Sequence, residues 1–327
     1  MSGYDGSAID AFDFHHSMLA DDVRTSSFLR AITEVVKPGD VVVDIGSGTG
    51  VLSLFAAMAG ASSVYSIERE PVIEIAREIA SRNGLSETIT FIAGSSLEVD
   101  IPEQADVLIT ETIGNVGFDE GIVTWVADAR RRFLKQDALV VPGRVDAVAS
   151  LICVPTDFMA IDKWSGPLQT LDFTPLTRIV RNNLLWTDLS PAAIVSEPAV
   201  VFGTDFSGEP EPLAGSIRVE AIKDAFVHGI GIWFRSSLTP SIEITNAPPN
   251  IVPSWEQGFL PLDEPIEVAT GDQIRLEVTS SASGAEWTWC VGSGRTHCTS
   301  DGQLNMPKVM EAVQTSHIER SNYAEDG

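Results

Sequence analysis

Long apolar runs are missing from this 327-residue chain: each one is interrupted by charge, glycine or proline well short of the roughly 18 residues needed to cross a bilayer, so no membrane-spanning helix is expected. Positive charge is also scarce. Lys and Arg number 21 against 46 Asp and Glu, a formal charge of −25, and that field disfavours nucleic acid and anionic membrane while drawing in cations. The three cysteines, Cys153, Cys290 and Cys298, are odd in number and contain no C-x-x-C pair, which argues against a disulfide framework and for a reducing compartment. Apart from His15-His16 the histidines are scattered, and no His/Cys group has zinc-ligand spacing, so no metal site is expected. The first residues are acidic, with neither a basic leader nor an apolar segment, which makes the cytoplasm the expected location.

The length allows a nucleotide-binding domain and a second, smaller one. Residues 12–36 carry Met18, Leu19, Val23, Phe28, Leu29, Ile32 and Val36 at mostly three- and four-residue intervals, the rhythm of an amphipathic helix, and Lys37-Pro38-Gly39-Asp40 ends it. Strand and helix patterns then alternate: strands at 41–45, 63–67, 89–93 and 107–110, helices at 51–59 and 72–83, and a long helical stretch from about Asp119 to Leu134. Alternation of this kind predicts a parallel sheet covered by helices. After Val141-Pro142-Gly143-Arg144 the helical rhythm fades and β-rich runs take over at 145–153, 230–234, 242–244 and 274–278, which predicts a mainly antiparallel second domain. The polar, Pro-punctuated segment from Trp164 to Pro198 has the character of a loop or an arm, and the tail after about Ser316 that of a loosely held end.

Two constellations carry chemistry. In the first, the apolar strand 41–45 runs through Asp44 into Gly46-Ser47-Gly48-Thr49-Gly50 and then a helix, while Glu68 follows the next strand. Glycines let backbone approach a ligand closely at this edge of a sheet, and an acid after the second strand can accept both ribose hydroxyls, so the pair predicts an adenosine-type cofactor. The spacing is G-x-G-x-G and not the G-x-G-x-x-G of dinucleotide enzymes, whose third glycine packs the helix beside a pyrophosphate. In the second, Glu111 ends the fourth predicted strand and Glu120 follows nine residues later at the start of a helix. Two carboxylates bracketing one loop would repel each other without a cation, and the planar, five-donor fork of a guanidinium suits them.

These motifs resemble those of the protein arginine methyltransferases, a family of class I S-adenosylmethionine-dependent enzymes. The resemblance covers Phe14 to Thr25, the Asp44-to-Gly50 loop, Glu68 and the Glu111/Glu120 spacing, and more loosely the β-rich remainder. It implies an α/β fold: a Rossmann-like S-adenosylmethionine-binding sheet at 39–143 under an N-terminal helical lid at 1–38. A mainly antiparallel, β-barrel-like substrate domain follows at 144–320, with a helical arm near 164–198 and a flexible tail at 321–327. It further implies that His15, Met18 and Arg24 line the cofactor pocket, Arg24 against the cofactor's carboxylate. Asp44, Gly46, Gly48, Gly50 and Glu68 are implied to hold the rest of the cofactor, Glu111 and Glu120 a substrate arginine, and the chain to form a homodimer.

The sequence departs from the family pattern in three places. Pro253-Ser254-Trp255 stands where the family has Thr-His-Trp, so Trp255 remains as a pocket wall while the histidine, and with it the usual role of Asp21, is lost. Thr112-Ile113-Gly114-Asn115 replaces a bulky Trp-Met-Gly-Tyr, and Ile122 stands where eukaryotic dimethylating members have methionine. Ser95-Ser96-Leu97 replaces the acid that meets the adenine amino group, which leaves Ser96 or nearby backbone for that work. The expected substrate is a cationic arginine side group, whether free, in a peptide or in a protein. The alternatives are a methyltransferase acting on another O or N group, a nicotinamide dehydrogenase, and a catalytically silent binding module. His228 is expected to be structural, His297 a loop residue with no acid close by, and Trp287 and Trp289 to share one face of a strand.

Overall fold

The computed structural model describes residues 8–161, 171–249 and 252–302; Trp164 and the 321–327 tail lie outside them. Five strands form the first sheet: β1 (Val41–Ile45), β2 (Ser63–Glu68), β3 (Ile89–Ala93), β4 (Ala105–Thr110) and β5 (Leu134–Val141). Their order is β3-β2-β1-β4-β5 and every pairing is parallel. β1 is buried at every position, as befits a strand covered on both faces, which is why it reads as an unbroken apolar run around Asp44. Helices α1 (Ala8–Ala20), α2 (Asp22–Val35), α3 (Val51–Ala59), α4 (Ile73–Arg82) and α5 (Ile122–Arg132) accompany it.

Two boundaries differ from the periodicity. The expected single helix over 12–36 is broken at Asp21, whose backbone is extended (φ −74°, ψ 95°) and whose side chain accepts the Arg24 N–H as the N-cap of α2. The helical stretch from Asp119 to Leu134 is shorter than expected. It starts at Ile122, after Gly121 turns the chain with φ 79°, and ends at Arg132, and residues 134–141 form β5 instead.

β5 ends at Val141 and β6 (Arg144–Ile152) begins after a cis Pro142 and Gly143, so the chain passes directly from the parallel sheet into an antiparallel one. Helices α6 (Pro155–Ile161) and α7 (Thr174–Arg181) and the short β7 (Leu185–Thr187) follow. The remaining strands are β8 (Ala199–Asp205), β9 (Ala214–Glu220), β10 (Ala225–Thr239), β11 (Ile242–Thr245), β12 (Gln257–Val268), β13 (Gln273–Ser280), β14 (Trp287–Val291) and β15 (His297–Cys298). They make two sheets, β7-β12-β10-β6-β8 with β11 on β10, and β15-β14-β13-β9. Among the described residues the ladders run as these two sheets and do not join into a closed barrel.

Trp287 and Trp289 are both buried, as strand alternation requires, with their indole N–H groups donating to Gly284 O and Pro261 O. His228 is structural: it is buried and its Nδ1 accepts the Val154 N–H at 3.2 Å. His297 is not a loop residue. It lies in β15, buried and stacked on Trp289 at 5.1 Å, beside Arg295, which is ion-paired to Asp263; an acid is therefore close, and its charge is already matched. No helix among the described residues is long and apolar enough to cross a membrane, and no described His/Cys/Asp/Glu group could hold a metal.

Candidate active site

The C-terminal edge of the parallel sheet gathers the glycine loop, the glutamate loop and the N-terminal helices. Gly46, Gly48 and Gly50 all have positive φ, at 72°, 53° and 79°. Side chains would also be obstructed there: a Cβ on Gly46 would lie 2.9 Å from Thr112 Cγ2, and one on Gly48 3.4 Å from His15 Cε1. The glycine loop therefore touches the glutamate loop on one side and α1 on the other. Thr110 reinforces the first contact, donating its hydroxyl to Ile45 O at 2.9 Å and lying 3.1 Å from Thr112 Oγ1.

Glu68 is buried at the end of β2, where one carboxylate oxygen accepts the Gly48 N–H at 2.9 Å and the other the Glu70 N–H at 2.8 Å. Each oxygen has a further lone pair for a ribose hydroxyl. Asp44 is fully buried with Oδ2 bound by the Ser53 hydroxyl at 2.6 Å, and its Oδ1 has no hydrogen-bond partner among the described residues. Burial raises this carboxyl to about 7, with Ser53 opposing the shift and Glu68 adding to it. Burial also lowers His15, against the pull of Glu68 and with the help of Arg24, which favours a neutral imidazole over the glycine loop. Left-handed glycines, an orphaned buried oxygen and a fixed acid at the second strand form a cradle that fits an adenosine-type cofactor.

Arg24 is the hinge between this cradle and the glutamates. Its guanidinium pairs with Glu111, lies 4.4 Å over the ring of buried Trp255, and has Nη1 3.4 Å from Ser254 Oγ. Burial holds it below the ordinary arginine range, at about 10, against the opposing charges of Glu120 and Asp21. Glu120 is exposed to solvent, although protein atoms crowd around its carboxyl. The crowding, together with Asp119, raises its carboxyl to about 7, and Arg24 pulls the other way. Glu111 thus pairs directly with the Arg24 guanidinium, and Glu120, at the other end of the 111–120 loop, acts on it through charge alone.

That loop is held from within and from outside. Asp119 accepts the N–H groups of Asn115 and Val116 at 3.0 and 2.9 Å, and Gly114 (φ 69°) must lack a side chain because its Cβ would fall on the Asp119 carboxylate. From outside, the β13–β14 turn presses on it: Thr124 donates to Ala282 O, and a Cβ on Gly284 would collide with Phe118 O.

Of the expected site residues, His15, Arg24, Asp44, Gly46, Gly48, Gly50, Glu68, Glu111, Glu120 and Trp255 come together here. Two stand apart. Met18 is half-buried on α1, where its carbonyl receives the Thr25 hydroxyl at 3.5 Å, and Ser96, buried after β3, has its carbonyl taken by Arg132. Asp21 does not lose its role, contrary to expectation. Its Oδ2 accepts both the backbone N–H and the hydroxyl of Ser254, at 3.1 and 2.7 Å, so serine takes up the place assigned to histidine.

Sequence reasoning missed Asn246 and Gln257, both fully buried, which tie the 252–257 segment to the glutamate loop. A polar residue after an alternating strand gives no signal of its own, since the partners are remote in sequence.

The chain is similar to several known proteins. Residues 23–141 match the family model described as ribosomal protein L11 methyltransferase, and residues 149–287 the arginine methyltransferase oligomerization subdomain. The arginine N(omega)-methyltransferase of Streptomyces achromogenes subsp. streptozoticus is 30% identical over 280 residues, 81% of this chain and 75% of that protein. Protein arginine N-methyltransferase 1 of Schizosaccharomyces pombe is 30% identical over 276 residues, 81% of each chain. Among solved structures, the PRMT1 enzyme-prozyme heterotetrameric complex with AdoHcy of Trypanosoma brucei superimposes with a TM-score of 0.80 at 24% identity, covering 89% of this chain and 99% of that one.

Proposed function

From the premise that this chain belongs to the arginine methyltransferase family, we propose that it transfers a methyl group from S-adenosylmethionine to a guanidino nitrogen of arginine, with Glu111 and Glu120 as the clamp that holds the guanidinium. The observation that carries this assignment is that Glu111 already holds a guanidinium, that of Arg24, beside an indole face, with the Glu120 carboxylate attracting the same charge from the other end of the loop. The site's own walls already satisfy the chemistry such a group needs: paired charge and a flat apolar surface.

S-adenosylmethionine supplies an electrophilic methyl group when bound. Glu68 accepts the ribose hydroxyls, Gly46, Gly48 and Gly50 allow close approach of backbone, and Asp44, His15 and Arg24 complete the pocket, with Met18 and Ser96 at its margins. Arg24 offers its remaining donors to a carboxylate. Glu111 and Glu120 would hold and orient the substrate guanidinium, and orientation of this kind supplies much of the acceleration in group-transfer reactions. Formation of the N–C bond would break the donor's S–CH3 bond and leave a neutral thioether, while the nitrogen would shed one N–H proton, for which the Glu120 carboxylate, with its carboxyl near 7, is the nearby base.

We read residues 144–320 as a barrel-like substrate domain and expect a homodimer. The matched oligomerization subdomain supports this, as do the exposed apolar side chains of Met159, Leu171 and Trp186 around α6, α7 and β7. The free thiols fit a cytoplasmic setting, and the charge of −25 argues against nucleic acid as a partner.

The test is incubation with methyl-labelled S-adenosylmethionine and, separately, free arginine, arginine-containing peptides and a protein extract, followed by mass analysis of the product. Label on a guanidino nitrogen in any arm is expected, and the arm identifies the substrate class. Tight cofactor binding with no labelled guanidine in any arm would overturn the assignment.

A further inference from the structure

The glutamate loop and the 252–257 segment come from distant parts of the chain, yet they face each other across the clamp. Glu111 and Glu120 lie on the first; on the second, Trp255 stacks on Arg24 while Ser254 holds Asp21. Two asparagines join them. The Asn115 side-chain oxygen accepts the Glu256 N–H at 2.8 Å. The Asn246 amide nitrogen donates to Asn115 O at 2.8 Å and to Glu256 O at 2.5 Å, while its oxygen accepts the Phe234 N–H from the central strand β10 at 3.0 Å. Gln257 closes the arrangement, donating to Asn246 O at 2.7 Å and accepting the Leu189 N–H at 2.7 Å.

Asn246 is fully buried and both ends of its amide are matched, so its orientation is fixed by its partners: donors toward two carbonyls, acceptor toward one N–H. A side chain that only filled space would not need that polarity. An aspartate would set a carboxylate against two carbonyl oxygens, and a leucine would leave three backbone groups unmatched, the buried Phe234 N–H among them.

We propose that Asn115 and Asn246 are positioning residues for methyl transfer, a polar staple that sets the separation between the carboxylates of the 111–120 loop and the Ser254-Trp255 wall. The proposal rests on Glu111 and Glu120 being the guanidinium clamp. Asn115 carries the staple's most adjustable link, because its backbone carbonyl stays bound to Asn246 whatever its side chain.

The test compares wild type with Asn115→Ala, Asn115→Asp and Glu120→Gln at saturating cofactor. Asn115→Ala is expected to lower kcat/KM for the arginine substrate about tenfold, since small displacements of a positioned group are costly to rate. Its cofactor Kd and its thermal midpoint should stay at the wild-type values. Asn115→Asp keeps the acceptor toward the Glu256 N–H and should recover most of the activity. Wild-type kcat/KM in Asn115→Ala, or a loss that follows the thermal midpoint alone and is not recovered by aspartate, overturns the staple. Full activity in Glu120→Gln would overturn the clamp itself, so the two failures are distinguishable. Asn246→Ala is a harsher variant that threatens folding, and for that reason the outcome is read from position 115.

Discussion

Glu120 ties the proposed mechanism to pH in a way that can be calculated beforehand. Only its carboxylate form attracts a guanidinium, and burial with Asp119 nearby raises this carboxyl to about 7. About a tenth of the free enzyme therefore carries the charge at pH 6 and about nine tenths at pH 8, so kcat/KM for an arginine substrate should rise about tenfold between them, with unit slope below the break. A bound guanidinium favours the charged form, which moves the break in kcat to lower pH than the break in kcat/KM. The assay is initial rate at saturating cofactor from pH 5.5 to 8.5 with a substrate that has no other group titrating in that range. In Glu120→Gln, activity should fall by about 100-fold or more, in keeping with the loss of a charged partner at a reacting group, and the residual rate should lose its break. A wild-type kcat/KM that is flat from pH 6 to 8, or a break near 7 that persists in Glu120→Gln, would refute the reasoning and move attention to Asp44.

Asp44 bears on stability. Its carboxyl is raised to about 7 in the fold, so the folded state keeps a proton that the unfolded chain releases from about pH 4 upward. Stability is then lost as pH rises between those values, by about 1.4 kcal/mol per unit as an upper bound. Asp44→Asn should remove that loss, and its thermal midpoint relative to wild type should climb from pH 5 to pH 8; parallel curves would contradict the burial argument. Asp21→Ala deletes an N-cap and two bonds to Ser254 and should cost about 1–3 kcal/mol in thermal or urea unfolding. Asp21→Asn, which keeps an acceptor for the Arg24 N–H, should recover part of it.

What could be read from the sequence followed the distance between cause and effect along the chain. β1, the glycine loop and α3 form one continuous stretch whose apolar pattern and glycines imply each other, and their limits came out at the residues expected. The break at Asp21 was hidden because the apolar rhythm continues across it; its signal is a capping aspartate, which periodicity ignores. β5 went unread because the expected helix ran up to Leu134 and the polar Lys135-Gln136-Asp137 that follows shows no strand alternation, so only the pairing with β4 makes it a strand. The glutamates were legible from their spacing, whereas their surroundings were not. That Ser254 would serve Asp21, or that Asn115 would meet Glu256, depends on contacts 233 and 141 residues apart.

The two halves of the site differ in how much chain must be ordered before each exists. The cofactor cradle closes over 9 residues between Asp44 and Ser53 and 20 between Gly48 and Glu68. The clamp needs Asn115 to Asn246 across 131 residues and Thr124 to Ala282 across 158. Loop-closure entropy makes contacts of the second kind slow to form, so during folding the cradle can take shape while the clamp waits for the last strands. An order of assembly is thereby written into the topology: a newly made chain acquires the means to bind its methyl donor well before it acquires the means to choose what receives the methyl.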